Sequence, residues 1–337
     1  MKVLALRADD GGCARYRVWE PARVVSEKYP EVSVRVDVNV DVSATQVIKT
    51  GVTRVEEVHE DVDVIIVQRP LNQAIGSMLE QARKQGIATI VELDDDLSNV
   101  HPKNLAYSSV HPQHRPLDNY TWLEQAAVSA DLLTVSTDSL GKYNPERYVT
   151  LPNYVAASTL DIQPTVTRTD FTVGWTGTLQ THPEDLEVTS GQVGRVLEDA
   201  RAPFAVVGDG KGVREALRLR PETALETTGW VALDDYYQTI IDTFDVGIVP
   251  LARSEFNHCK SCLKGLEMAA LGIPFIASST EDYERLARLG VGELAFDHSE
   301  FRNKLRKWLN DPDKARAVGK QYREIVGEKL TYELHAD

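Results

Sequence analysis

Cysteine is scarce in this chain: Cys13, Cys259 and Cys262 are the only three among 337 residues. Three thiols make no disulfide framework, so packing must hold the fold together, as in a reducing compartment. Long apolar runs are also missing, which excludes a membrane span. The opening Met1 to Asp10 has an apolar stretch too short for a signal peptide and no small-residue cleavage pattern, so a cytoplasmic location is expected. Positive charge is in deficit, with 37 Lys and Arg against 51 Asp and Glu and a formal charge of −14. That balance argues against a broad, sequence-independent grip on nucleic acid, which needs clustered cations to replace phosphate counterions. No repeat or low-complexity tract interrupts the chain. What remains is 42% hydrophobic and 26% charged, the composition of a globular protein, and the length calls for two domains.

Val3 to Leu6 has the pattern of a short buried strand, followed by Asp9-Asp10-Gly11-Gly12-Cys13 and a helix over 14–28. Strand, glycine loop and helix open a Rossmann-like sheet, and Gly11 and Gly12 let the backbone approach a ligand closely. Strands are predicted at Val32 to Val40, Val62 to Gln68, Ala88 to Leu93 and Asp131 to Thr137, with helices at Ile75 to Lys84 and Trp122 to Ser129. Ser98 to Tyr120 has no clear pattern. Its His101, His111 and His114 lack metal-ligand spacing and read as loop residues. The strand at 88–93 ends in Asp94-Asp95-Asp96, where an open α/β sheet places groups that touch ligands. Asp94-x-Asp96 has the spacing of a divalent-cation site on a nucleotide diphosphate. The same carboxylates also suit orienting an incoming hydroxyl, or capping a helix.

The second half repeats the alternation. Phe171 to Thr178 runs a strand into Thr176-Gly177-Thr178, a turn whose amides and hydroxyls suit phosphate oxygens. His182, beside Pro183, reads as a turn element. Further strands are predicted at Pro203 to Val207, Val246 to Val249 and Glu293 to Phe296, with helices near Leu233 to Ile241 and Asp282 to Leu289. Two more helices follow, capped by Ser299 and begun by Asp311-Pro312. Between them lies Asn257 to Ser278, read as a loop, a helix and a strand. Asn257 is the expected N-cap, the helix starts near His258, and Gly272 with Pro274 ends it. Lys260, Lys264 and Glu267 then share one side. A helix N-terminus with two lysines suits a diphosphate, and a carboxylate two turns on suits ribose hydroxyls. Cys259-x-x-Cys262 beside His258 is set aside as a metal half-site, because no second Cys/His pair stands at ligand spacing.

At these residues the chain resembles the nucleotide-sugar site of GT-B glycosyltransferases, in particular the retaining family 4 type. That family carries two glutamates before a Gly-x-Pro strand. Glu267 and Gly272-Ile273-Pro274 match, while Cys259 replaces the first glutamate. Tyr16-Arg17 with Pro21 and Arg23, the Thr134 to Thr137 strand, Pro152-Asn153 and Gly208-Asp209-Gly210-Lys211 are similar to other loops of the family. The resemblance implies an α/β GT-B fold, two Rossmann-like domains with parallel sheets facing across an interdomain cleft. It divides the chain into 1–156, a linker at 157–169, a nucleotide-sugar domain at 170–320 and a tail at 321–337 that crosses back to the first domain. It implies transfer of a sugar from a nucleoside diphosphate to an acceptor hydroxyl with retention, without a metal or other cofactor. The implied donor contacts are Gly11, Gly12, Thr176, Gly177, Thr178, Asp209, Lys260, Ser261 and Glu267. Asp94, Asp95, Asp96 and Lys260 are the implied catalytic groups, Arg17 faces the acceptor side, and Trp230-Val231 borders the base. The acceptor, whether glycan, lipid, protein or modified nucleobase, stays open. A GT-A transferase using Asp94-x-Asp96, a sugar-nucleotide epimerase and a catalytically silent nucleotide-sugar binder are the alternatives.

Overall fold

The structure, a computed structural model, describes residues 1–47 and 50–336. It divides into two compact units. The first holds Met1–Asn153 with Cys259–Ser261 and Ala336, and the second holds Tyr154–His258 with Cys262–His335.

The first unit is built on β1 (Lys2–Leu6), β2 (Ser33–Asp37), β5 (Val64–Gln68), β6 (Ala88–Leu93), β7 (Leu132–Val135) and β8 (Tyr148–Thr150). These pair in parallel in the order β2-β1-β5-β6-β7-β8. The order reverses direction beside β1, a topological switch point of the kind that places a crevice at the strand ends. Around the sheet lie α1 (Gly12–Ala14), α2 (Glu20–Lys28), α3 (Gln73–Lys84), α4 (Tyr107–Val110) and α5 (Tyr120–Ser129). A π-helical turn, Arg15–Trp19, joins α1 to α2 and carries Arg17. The central strands are buried because Leu4, Ile65, Val91 and Leu133 are fully out of water.

One feature of this unit goes beyond the sequence reading, which left residues 41–61 without structure. β3 (Val42–Gln46) and β4 (Thr53–Val58) form an antiparallel hairpin. Only Val55 and Val58 of β4 are buried, so the hydrophobic signal is thin. Side chains of α3 and the residue after it supply the missing partners for the β4 edge. The amides of Thr53, Val55 and Val58 donate to Gln73 Oε1, Ser77 Oγ and Gln85 Oε1 at 2.8–2.9 Å. An open strand edge is thereby covered by a helix.

In the second unit β9 (Val173–Thr176), β10 (Phe204–Val207), β11 (Leu225–Thr227), β12 (Val246–Val249), β13 (Phe275–Ser278) and β14 (Glu293–Ala295) pair in parallel, in the order β11-β10-β9-β12-β13-β14. This is the doubly wound Rossmann order, with its switch point between β9 and β12. The helices are α6 (Gln192–Ala200), α7 (Val213–Leu217), α8 (Leu233–Thr243), α9 (Glu255–His258), α10 (Leu263–Ala270), α11 (Glu281–Arg288), α12 (His298–Asn310) and α13 (Pro312–Lys329). Trp175, Phe204, Ile248, Ile276, Phe301 and Trp308 pack into one core cluster.

Several expected boundaries move. The helix expected near His258 starts at Leu263, and Asn257 lies inside the separate short α9 rather than at a cap. The N-cap of α12 is Asp297, whose carboxylate takes the amides of Ser299 and Glu300, so Ser299 is helical and not the cap. α13 runs unbroken through the 320/321 division and packs within the second unit; of the tail, Asp337 lies outside the described residues. At Gly319 a Cβ would fall 2.0 Å from Gly272 O, so the α13 backbone rests directly on the end of α10. Residues 157–169, expected as a linker, are tied to this unit. Thr165 donates through N and Oγ1 to Asp242 at 2.6 Å, and Arg323 Nη2 donates to Ile162 O at 3.0 Å.

Candidate nucleotide-sugar site

β9 ends at the switch point and turns through Thr176-Gly177-Thr178. Gly177 has φ +133°, a conformation that only glycine adopts without strain. A Cβ there would stand 3.1 Å from Lys264 Nζ, and one on Gly208 would stand 2.2 Å from Gly177 O. A bridge between Gly208 and Gly229 adds the next loop, so the turns after β9, β10 and β11 lie side by side. Asp209 folds back on its own loop, accepting from Lys211 N at 2.9 Å, and Trp230 beyond Gly229 is 76% exposed. Thr176 and Thr178 are buried.

Against this turn sits a chain of polar side chains. Asp185, 1% exposed, accepts from Ala252 N and Asn257 Nδ2, both at 2.8 Å, through Oδ1. Its Oδ2 lies 3.1 Å from His182 Nδ1, and His182 Nε2 lies 3.1 Å from Lys264 Nζ. Burial pushes the Asp185 carboxyl up, but His182, the Ala252 amide and Lys264 together hold it below the usual carboxylate range. Lys264 also lies over the Trp175 ring, 5.4 Å from its centroid. Glu267, one turn further along α10 and 4% exposed, accepts from Tyr236 Oη at 3.2 Å. Asn257 further lines a cavity of about 930 Å³ at the ends of β12, β13 and β14, shared with Ser254, Ser278, Thr280 and Phe296.

The start of α10 differs from the expected anion site in one respect. Cys262 occupies the N-cap without a side-chain cap, and its amide donates to Asp282 Oδ2 at 2.7 Å. Part of the helix N-terminus is thus already satisfied from within the unit. Burial, ahead of the neighbouring Asp282, raises the Cys262 thiol pKa well above its ordinary value.

The first unit gathers a different set of predicted residues. Lys260, expected on the same helix side as Lys264 and Glu267, precedes that helix, and its Nζ pairs with Asp95 at 2.8 Å. Ser261 Oγ accepts from Asn153 Nδ2 at 2.9 Å. Asp94 forms a two-point pair with Arg69, whose Nη2 lies 2.6 Å from Asp94 Oδ2 and 3.1 Å from Asp95 Oδ2. Burial pushes the Asp94 carboxyl up and Arg69 more than reverses it. Asp96 is fully buried and accepts from Ser98, Asn99, Lys142 and Tyr143. Asp94 and Asp96 each hold a cationic side chain, Arg69 and Lys142. Of the three, Asp95 is the more open, with 18% of its side chain exposed.

Arg17 points into this unit rather than onto its surface. Its Nε lies 2.6 Å from Glu92 Oε1, and Nη1 donates to Leu151 O and Asn153 Oδ1 at 2.6 and 3.0 Å. Burial pushes the Glu92 carboxyl up to about 7, with Arg17 pulling the other way. Gly11 N donates to Asp9 Oδ1 at 2.7 Å, closing the first glycine loop on itself. Sequence reasoning missed Arg69, Glu92, Lys142 and Tyr143, whose partners lie far off in the chain, and gave His182 no role. The His182-x-x-Asp185 spacing ahead of a helical segment was the one local signal.

Comparison with known proteins agrees with this fold. Residues 170–311 match the family of glycosyl transferases group 1. No curated protein matches the sequence. Among solved structures, sucrose-phosphate synthase from Thermosynechococcus elongatus is 16% identical, covers 100% of this chain and 96% of its own, and superposes with a TM-score of 0.64. Anabaena HepE in complex with UDP-glucose is 13% identical over 100% of this chain and 98% of its own, with a TM-score of 0.65. WaaG, a glycosyltransferase involved in lipopolysaccharide biosynthesis, is 12% identical over 100% and 99% of the two chains, with a TM-score of 0.60. At such identities these structures speak for the fold, and the family match speaks for the domain. The chain has the GT-B fold of these structures, and its residues 170–311 match the family of glycosyl transferases group 1.

Proposed function

We propose that this protein transfers a sugar from a nucleoside diphosphate sugar to an acceptor hydroxyl, with retention at the anomeric carbon and without a divalent ion. The observation that carries the reading is the Thr176-Gly177-Thr178 turn at the switch point of the second sheet, with Lys264 Nζ lying 3.1 Å from where a Gly177 Cβ would be. The bond from the anomeric carbon to the diphosphate oxygen breaks and its electron pair stays on the diphosphate. The acceptor oxygen forms the new bond to that carbon, and its proton passes to the released phosphate oxygen, so no side-chain base is required. A fixed ammonium group lowers the barrier because the charge it faces grows as the bond breaks. Trp230 offers an exposed ring to the base, Asp209 belongs to the same rim, and Glu267 takes a ribose hydroxyl. The cavity beside Asn257, about 930 Å³, has room for a sugar unit and more.

Lys260, Ser261, Gly11, Gly12 and Arg17 remain donor-side and acceptor-side proposals from the family resemblance, as does the Asp94 to Asp96 turn. Retention also rests on that resemblance, and a cytoplasmic location goes with it. The solved complex of HepE with UDP-glucose makes uridine nucleotides the first to try. A thermal-shift screen against UDP, GDP, ADP and their common sugars, with and without chelator, tests the reading. Stabilisation by one diphosphate series that survives chelation is expected. No shift with any of them, or a shift that vanishes with chelator, contradicts it. Nucleoside diphosphate release that depends on an added acceptor separates transfer from epimerisation and from silent binding.

A further inference from the structure

Lys264 is the second residue of α10, where the helix dipole opposes a positive charge. A lysine in that position is stabilised only by what surrounds it. The surroundings here are ordered: Ala252 N and Asn257 Nδ2 fix Asp185, Asp185 accepts from His182 Nδ1, and His182 Nε2 accepts from Lys264. With Nδ1–H committed to a buried carboxylate, the neutral ring keeps its lone pair on Nε2, which suits it to accept from an ammonium and not to donate. The Trp175 ring lies edge-on to His182 at 6.4 Å between centroids and under Lys264 at 5.4 Å. A side chain on Gly177 would meet both, since His182 Cδ2 lies 3.4 Å from the position of its Cβ. The ammonium is therefore held in one place beside the turn, with its freedom already restricted before any ligand arrives.

We infer that His182 is a positioning residue for donor binding: oriented by Asp185, it holds Lys264 where the diphosphate of the donor meets it. The inference rests on the transfer reading and deepens it. His182 meets Asp185 through Nδ1 and Lys264 through Nε2, and the dipole of α10 adds to the pull on an incoming anion. Lys260 is engaged with Asp95 and belongs to a different set of contacts.

The test is isothermal titration of UDP, GDP and ADP into the full-length wild type and into Lys264→Ala, His182→Ala and His182→Gln. Glutamine keeps an oxygen for Lys264 and an N–H for Asp185, so it can replace the imidazole as a relay. One diphosphate is expected to bind the wild type. Lys264→Ala should weaken it by about tenfold or more, as loss of a hydrogen bond to a charged group implies. His182→Ala should weaken it by about three- to tenfold, and His182→Gln should recover to within about twofold of wild type. If His182→Ala does not fold, His182→Phe keeps the ring volume without the acceptor and takes its place. Wild-type affinity in His182→Ala or His182→Phe, or equal losses in His182→Ala and His182→Gln, overturns the positioning role while the transfer reading stands. A wild type that binds none of the three diphosphates overturns both.

Discussion

Asp96 is a catalytic candidate by family resemblance and also the acceptor for a cluster of donors in the fold, and its substitution separates the two roles. Its Oδ1 accepts from Ser98 Oγ at 2.9 Å and from Tyr143 Oη, and its Oδ2 accepts from Asn99 Nδ2 at 3.0 Å and Lys142 Nζ at 2.6 Å. In Asp96→Ala these donors and the Cys259 thiol lose the carboxylate, Ser98 and Tyr143 keep only each other at 2.8 Å, and Lys142 loses its counter-charge. Lys142 is 40% exposed and can rehydrate, so most of the loss comes from the hydroxyls and the buried space, about 3–5 kcal/mol. Asp96→Asn should cost less, about 1–2 kcal/mol. Its amide N–H groups can face the two hydroxyls, which turn to accept, while its oxygen keeps Lys142 and Asn99. Burial pushes the Asp96 carboxyl up, and hydrogen bonds from Lys142, Tyr143 and Ser98 hold it below its ordinary 3.8. A depressed carboxylate stabilises the fold above its unfolded value and loses that contribution as pH falls through the folded value. Asp96→Asn should therefore show a shallower loss of stability below about pH 4 than the wild type. Urea unfolding followed by circular dichroism, with turnover measured on the same preparations, reads both effects. Full stability with abolished turnover in Asp96→Asn would refute the structural reading.

Further outcomes follow from other residues. Gly177→Ala, at φ +133°, should cost about 1–3 kcal/mol in the second unit and push Lys264 aside, so titration should show weaker diphosphate binding. Glu92, raised by burial from its ordinary 4.5 to about 7, binds a proton more tightly folded than unfolded. Its contribution to stability is thus present below pH 4.5 and falls as pH rises through about 7. Glu92→Gln should flatten that decline, by at most about 3 kcal/mol in urea unfolding between pH 5 and pH 8. Burial raises the Cys262 thiol pKa, and Cys259 and Cys262 are both buried, so a colorimetric thiol reagent should label these two at neutral pH only as the chain unfolds.

The strand and helix alternation was legible because the strands of both sheets are short apolar runs covered on both faces. Ala88 to Leu93 matches β6 residue for residue. The β3–β4 hairpin was not, since its exposed, polar residues leave only two inward valines as a signal. The start of α10 was misplaced because nothing between His258 and Cys262 breaks a helix locally. The partner of its first amide, Asp282, comes from α11. At the site, the glycine turn could be read from its neighbours and the family resemblance ordered the loops, while the diphosphate lysine was expected at Lys260, which pairs with Asp95, rather than at Lys264. The pairings Arg69 with Asp94, Arg17 with Glu92 and Tyr143 with Asp96 join residues 25, 75 and 47 positions apart, beyond the reach of any local pattern.

The most direct measurement is a crystal structure of the protein grown with whichever nucleoside diphosphate binds it in titration. The account predicts the diphosphate at the Thr176-Gly177-Thr178 turn with an oxygen within hydrogen-bond distance of Lys264 Nζ. A diphosphate bound away from that turn, with Lys264 still directed to His182, would contradict it.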